Sequence, residues 1–255
     1  MGIINNKLEE EILMKMEKIN GNPQYFNVRE ENVSQSLKSL GDIYSFWIEN
    51  PELRKNLLME NKQPKTIKKM ARKGIHQIQN AWYFLHERKN EFGNNFIDLF
   101  NEFVLKKVNQ LIEPSIIGTG DYRKKDVTLN FRNYTPPSWE KVPKKMNKLI
   151  KDIKLKYVDN PLESGILAHL GIVGIQPFMD GNKRTARLIQ NRILHSVDMP
   201  PAMIPAGEGK FYFDLLRRIL PSYNEDNLEG QRQFYDYCAS KVNNGLDDIL
   251  DDLKI

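Results

Sequence analysis

The chain has 255 residues, 40% of them hydrophobic, and a formal net charge of +5 from 38 Lys and Arg against 33 Asp and Glu. That is enough for one large domain or a domain with an extension, and the modest basic excess suits a phosphorylated ligand while falling short of a nucleic-acid signature, so no nucleic-acid partner is expected. The lone cysteine, Cys238, excludes an intramolecular disulfide and a cysteine-rich metal site and points to a reducing, cytoplasmic setting. No apolar run approaches the ~18 residues of a membrane span. The N-terminus MGIINNKLEEE lacks a signal-peptide core and has Asn6 where myristoylation wants Ser or Thr, so neither membrane nor export is expected.

In chain order, Leu8, Ile12, Met16 and Ile19 recur at helical spacing before the breaker Asn20, Gly21, Asn22, Pro23. Further helices are expected from Ser36 to Trp47 and from Thr66 to Leu85, with Pro51 and Pro64 as punctuation. The dense basic cluster Lys62, Lys65, Lys68, Lys69, Arg72 and Lys73 reads as a solvated helix face rather than a docking patch. Residues 127 to 131, VTLNF, give the one strand signal and predict a short hairpin or edge strand. Such a hairpin is either purely structural or a place where an extended peptide adds a strand. Pro143 then stands in the first turn of a helix running to Tyr157. Pro161 opens another helix, with Leu162, Ile166, Leu167, His169, Leu170 and Val173 along it.

That helix leads into QPFMDGNKRTAR, residues 176 to 187. Asp180 and Gly181 fall in a loop, and Asn182 to Arg192 open the next helix with Leu188, Ile189, Ile193 and Leu194 as its buried stripe. A loop meeting a helix N-terminus offers unpaired N–H groups and the positive end of the dipole to an anion. Arg184 and Arg187, three residues apart, share a helix face from which two guanidinium forks can grip successive phosphates. Asp180 is either a ligand for a hard cation such as magnesium or a helix cap.

These residues resemble the signature of the Fic family, His-x-Phe-x-(Asp/Glu)-Gly-Asn-x-Arg-x-x-Arg, at Phe178, Asp180, Gly181, Asn182, Arg184 and Arg187. Only the histidine is missing, and Gln176 stands in its place. The likeness extends to GTGDYR at 118 to 123, PPSWEKVPKKMNKL, AHLGIVGIQPF and GKFYFDLL, and covers roughly residues 75 to 240. It implies an all-α Fic fold with a small β-hairpin flap, preceded by an N-terminal helical extension over 1–74 and followed by a C-terminal amphipathic helix over 241–255. It further implies a class that mostly transfers AMP from ATP to a hydroxyl side chain of a target protein. By position, Asp180 would hold magnesium, and Gly181, Asn182 and Lys183 would line the anion hole. Arg184 and Arg187 would hold the middle and terminal phosphates, and the flap residues Val127, Thr128, Leu129 and Asn130 would align the target segment.

In the family the histidine deprotonates the attacking hydroxyl; glutamine can hydrogen-bond a hydroxyl but cannot accept its proton near neutral pH. General-base catalysis is worth about 10² to 10⁴ in rate, so transfer is expected to be weak or lost while nucleotide binding persists. His169 stands seven residues earlier, about 10 Å away by helical rise, and His195 lies well along the following helix; both read as packing or surface residues. Many Fic proteins also carry an inhibitory helix, (Ser/Thr)-x-x-x-Glu-(Gly/Asn), whose glutamate pairs with the second arginine. No clean copy is read here. The nearest approaches are Ser240 to Gly245, with Asn244 at the glutamate position, and Ser222 to Asn227, with Asp226 there. The plainer reading of SKVNNG is a helix C-cap at Gly245.

Two functions follow: a protein that binds ATP or a related nucleotide with magnesium, and an active transferase in which Gln176 only orients the nucleophile. The target protein and the oligomeric state, homo-oligomer included, stay open.

Overall fold

A computed structural model describes the backbone of every residue except 1, 42–63, 88–95, 115–117, 119, 130–132 and 225–226, and the side chains of these, of 39–41, 64–72, 87, 206 and 224 lie outside the description. The described residues form ten α-helices: α1 Asn6–Ile19, α2 Tyr25–Gly41, α3 Pro64–Glu87, α4 Phe96–Leu99, α5 Glu102–Ile112, α6 Val142–Asp159, α7 Pro161–Ile175, α8 Asn182–His195, α9 Gly209–Asn224 and α10 Leu228–Leu253. Among them there is no strand.

Helix α7 is the centre of the fold. Asn160 caps it, its side-chain oxygen accepting from the Glu163 N–H at 3.0 Å, and Pro161 fills the first turn where no amide hydrogen is needed. Every residue from Ile172 to Ile175 and nearly all before it are buried, as expected of a helix that is apolar on all sides. It packs against α6 and α8, with α9 and α10 closing over it. Small residues set the spacing: a Cβ at Gly171 would lie 2.4 Å from Leu149 of α6.

The N-terminal helices are docked on this core. Glu163, fully buried at the start of α7, accepts from the backbone N–H groups of Ile3 and Ile4 and from Lys156 Nζ at 3.1 Å. Helix α1 lies on α10, with Ile12 and Ile19 buried, and α3 bridges α2 to α5. Helix α10 runs unbroken through Ser240 and Asn244, so SKVNNG is helix interior rather than a cap. A Cβ at Gly245 would stand 3.3 Å from Pro200, which makes this glycine a close-approach position.

Two expectations are corrected by the backbone. Helix α2 begins at Tyr25, well before Ser36, because its buried side includes Arg29 and Ser36 beside Val33 and Leu37 and so reads as polar in sequence. Residues 42 to 47 of that expected helix, and the basic cluster's side chains through Arg72, lie outside the described residues. The hairpin flap is not seen: Val127, Thr128 and Leu129 are irregular, and Asn130 and Phe131 lie outside the description. Side chains hold this segment in place of a ladder. Arg123 donates to the Lys125 carbonyl at 2.8 Å and to the Pro137 carbonyl, and Asp126 accepts from the Trp139 N–H at 2.8 Å.

Candidate functional site

The loop between α7 and α8 is fixed from within. Gln176 ends α7 in the left-handed region, φ 51°, ψ 58°, with its N–H still bonded to Ile172. Positive φ is costly for a residue with a Cβ, so it persists only where neighbours hold it. Here Arg123, whose side chain is fully buried, donates from Nε to the Gln176 carbonyl at 2.8 Å, and its backbone N–H bonds the Pro177 carbonyl at 2.8 Å. Tyr134, also buried, donates its hydroxyl to the Gly174 carbonyl. Asn182 then closes the turn, its amide bonding both the N–H and the carbonyl of Phe178 at 2.9 Å.

Gly181 takes φ 76°, and a Cβ there would meet Glu113 Cγ at 2.9 Å and Asn109 Nδ2 at 3.0 Å. Glycine is needed on both counts. Asn109 donates to the Asp180 carbonyl at 2.9 Å, while the Gly181 N–H bonds the Asp180 carboxylate at 2.6 Å. Helix α8 starts at Asn182 with no side-chain cap, which leaves its N-terminal amide groups to the loop and to whatever lies in front of it.

A cleft of about 440 Å³ opens there, lined on one side by Asp126, Val127, Thr128 and Leu129 and on the other by Gln176, Phe178 to Asn182 and Lys183. The structure therefore brings together the glutamine, Asp180, the glycine, Asn182, Lys183 and three of the four flap residues. Arg184 and Arg187 do not line this cleft. Both are buried and they diverge: Arg184 is ion-paired with Glu113 at the end of α5 and lies 3.8 Å from Asp180, whereas Arg187 lies over the Tyr212 ring of α9 at 6.0 Å. Ser240 bonds the Tyr237 carbonyl within α10 and Asn244 is exposed. Asp226 lies outside the described residues.

The Gln176 side chain is 94% buried by residue and turns back on its own helix, its amide N–H donating to the Val173 carbonyl at 2.6 Å. No histidine takes over its place. His169 is fully buried between Gln190 and the Tyr212 hydroxyl, and desolvation pushes its pKa down to about 3, so it stays neutral. His195 sits at the far end of α8, bonded to Glu30 at 2.8 Å. His76 is exposed on α3.

Residue patterns missed Arg123, Asn109, Glu113 and Tyr134. The only sequence signal for the first was its place at the end of the glycine-rich GTGDYR, since one buried arginine has no period to betray it.

Among the described residues, helices gathered around a buried central helix, with a glycine loop facing a cleft, define an all-α domain. Residues 98–194 match the family model for the Fic/DOC family, so this stretch of the chain is a Fic domain. The chain is 36% identical over 136 residues to a protein adenylyltransferase Fic of Nematostella vectensis, covering 51% of this chain and 29% of that protein. With the protein adenylyltransferase Fic of Drosophila erecta it shares 27% over 139 residues, 54% and 26% of the two lengths. The matches thus span less than a third of these relatives. A Fic-domain-containing signaling protein from Bacteroides thetaiotaomicron superposes with a TM-score of 0.75 over 97% of both chains, and Fic-1 of C. elegans with 0.74 over 97% of this chain and 72% of that one, each at 18% identity. These two likenesses establish the fold. Among the described residues no helix is long and apolar enough to cross a membrane.

Proposed function

We propose that this chain binds ATP or a related nucleotide with magnesium in the cleft before α8 and that its transfer of AMP to a protein hydroxyl is weak or lost. The observation that carries the reading is Gln176, buried at the head of the cleft with its amide bonded to Val173. An amide there can position a hydroxyl but leaves the proton with nowhere to go, and His169 is held neutral one helix segment away.

The residues present fit the ligands. Asp180 offers a part-exposed carboxylate beside Lys183 in the cleft, a hard oxygen donor of the kind magnesium takes alongside phosphate oxygens and water. The ion would neutralise phosphate charge. Gly181 lets backbone come close to a phosphate, and the uncapped α8 N-terminus favours an anion. Arg184 joins only if it leaves Glu113. The segment at Val127 to Leu129 lines the same cleft, which supports a role in meeting a target peptide.

A second reading, a transferase still active with Gln176 as an orienting group, draws on one sequence feature. Ser45-Phe-Trp-Ile-Glu49-Asn50 fits every defined position of the inhibitory pattern, a better match than Ser240 to Gly245 or Ser222 to Asn227, and corrects the reading that none is clean. It lies outside the described residues. A retained brake implies an activity to restrain.

Calorimetry of ATP with magnesium, followed by incubation with labelled ATP and lysate, separates these readings. Binding without label in the parent and label in Gln176→His supports the first; strong label in the parent supports the second. No nucleotide binding at all overturns both.

A further inference from the structure

Away from the cleft, three side chains from three helices meet at the C-terminal end of α8. Glu30 of α2, His86 of α3 and His195 of α8 each place a ligand-type atom within 4.8 Å of the others, the one such group among the described residues. His195 Nε2 stands 2.8 Å from Glu30 Oε1, and the two imidazole rings are 4.8 Å apart. Trp82 packs on both, with ring centroids 5.2 Å from His86 and 5.5 Å from His195.

We propose that Glu30, His86 and His195 form a binding site for a divalent transition ion of the zinc class. Two imidazole nitrogens and one carboxylate oxygen are the donor set such ions favour, and three protein ligands leave a fourth position for water. Bonds of about 2.0–2.1 Å bring tetrahedral ligand atoms to roughly 3.3 Å of one another, so small rotamer changes close the group on an ion. Glu30 and His86 are only half-buried, which gives the ion an entry path, while His195 is buried and anchored in the helix. The ion replaces the proton that His195 and Glu30 share.

The local charge is compatible. Arg29 is ion-paired with both Asp198 and, at 3.5 Å, Glu30 Oε1, so it shares that carboxylate with an incoming ion, and Arg192 is directed to the Leu85 carbonyl at 3.3 Å and over the Phe96 ring at 4.7 Å. A cation at the C-terminal end of α8 also meets the negative pole of the helix. The ion would tie α2 and α3 to the core helix, a cross-link the chain otherwise lacks, having one cysteine, which is buried.

The test is a cobalt titration of the untagged full chain after chelator treatment, followed by displacement with zinc. One equivalent of Co²⁺ giving visible d–d absorption that zinc bleaches, and a zinc-dependent rise in melting temperature, is the expected result. Glu30→Gln and His86→Gln, both at the half-buried rim, should weaken the metal by about 100-fold or more, beyond the 10–100-fold loss typical of supporting partners. Glu229→Gln, at the exposed start of α10, should leave it unchanged. No stoichiometric cobalt signal in the parent, or a signal that survives both rim substitutions, overturns the proposal, and circular dichroism of the variants shows that they have folded.

Discussion

The two ends of helix α8 are built in opposite ways. Its N-terminal end gathers groups suited to an anion within a dozen consecutive residues, Gln176 to Arg187, and the loop holds itself through Asn182 and Gly181. Its C-terminal end gathers Glu30, His86 and His195 from three separate helices. The first arrangement is a local pattern that survives as a motif; the second exists only once α2 and α3 have docked. The comparison also separates positioning from chemistry. The N-terminal end keeps its geometry through buried partners, Arg123 above all, while the residue expected to move a proton is an amide.

The largest expected effect tests that last contrast. Gln176→His should raise AMP labelling of target protein by about 10² to 10⁴, the usual value of a general base, while ATP affinity by calorimetry stays within a few-fold. Equal labelling before and after the change would show that geometry, not the base, limits the site. Adding Glu49→Gly to that variant should raise labelling further if the Ser45 to Asn50 pattern acts as a brake.

Next is the clamp. Arg123→Ala removes bonds to the carbonyls of Gln176, Lys125 and Pro137 and leaves the buried Gln176 acceptor unmet, a loss of about 3 kcal/mol in urea unfolding, at roughly 1 kcal/mol for each bond. Retained stability with unchanged nucleotide binding would mean that the left-handed Gln176 holds without it.

Arg184→Ala should cost about 2 kcal/mol of ATP affinity, the scale of one hydrogen bond to a charged group. If affinity instead rises, Glu113 is the partner Arg184 prefers and the arginine is structural.

The smallest effect sharpens the C-terminal end and the core. His169 has its pKa near 3 against an ordinary 6.5, and burial lowers that of His195 as well. A depressed histidine means that the unfolded chain takes up protons the folded one excludes. Stability should therefore be full above pH ~6.5 and fall as the pH drops below it, by up to about 1.4 kcal/mol per unit for His169 alone. Glu30, lowered chiefly by its bond to His195, acts in the same direction, its contribution present above the ordinary carboxylate value and lost as the pH falls through its folded one. Urea midpoints at pH 7 and pH 5.5 measure the histidine part, since the Glu30 contribution is full at both values, and His169→Gln should flatten the slope. An identical midpoint at both pH values would mean that these histidines take up protons without opening the fold.

Much of the domain was legible because its signals are local. Pro143 and Pro161 stand in the first turns of α6 and α7, the stripe Leu188, Ile189, Ile193 and Leu194 is fully buried, and Ile12 and Ile19 face the core from α1. The hairpin expected at 127 to 131 is not seen among the described residues, because the strand propensity of Val127 to Leu129 says nothing of whether a partner strand is in reach. Arg184 and Arg187 share a helix face by spacing, yet their long side chains diverge toward Glu113 and Tyr212.

The sequence by itself determined the helical order, the glycine turn and the absence of a base at Gln176, because each depends on residue type and short spacing. Tertiary structure alone decided that Arg123 grips the Gln176 carbonyl, that Glu113 faces Arg184, and that two histidines and a glutamate from α2, α3 and α8 come within ligand distance. Those contacts join residues tens to more than a hundred positions apart, and burial against distant helices leaves no mark in local spacing.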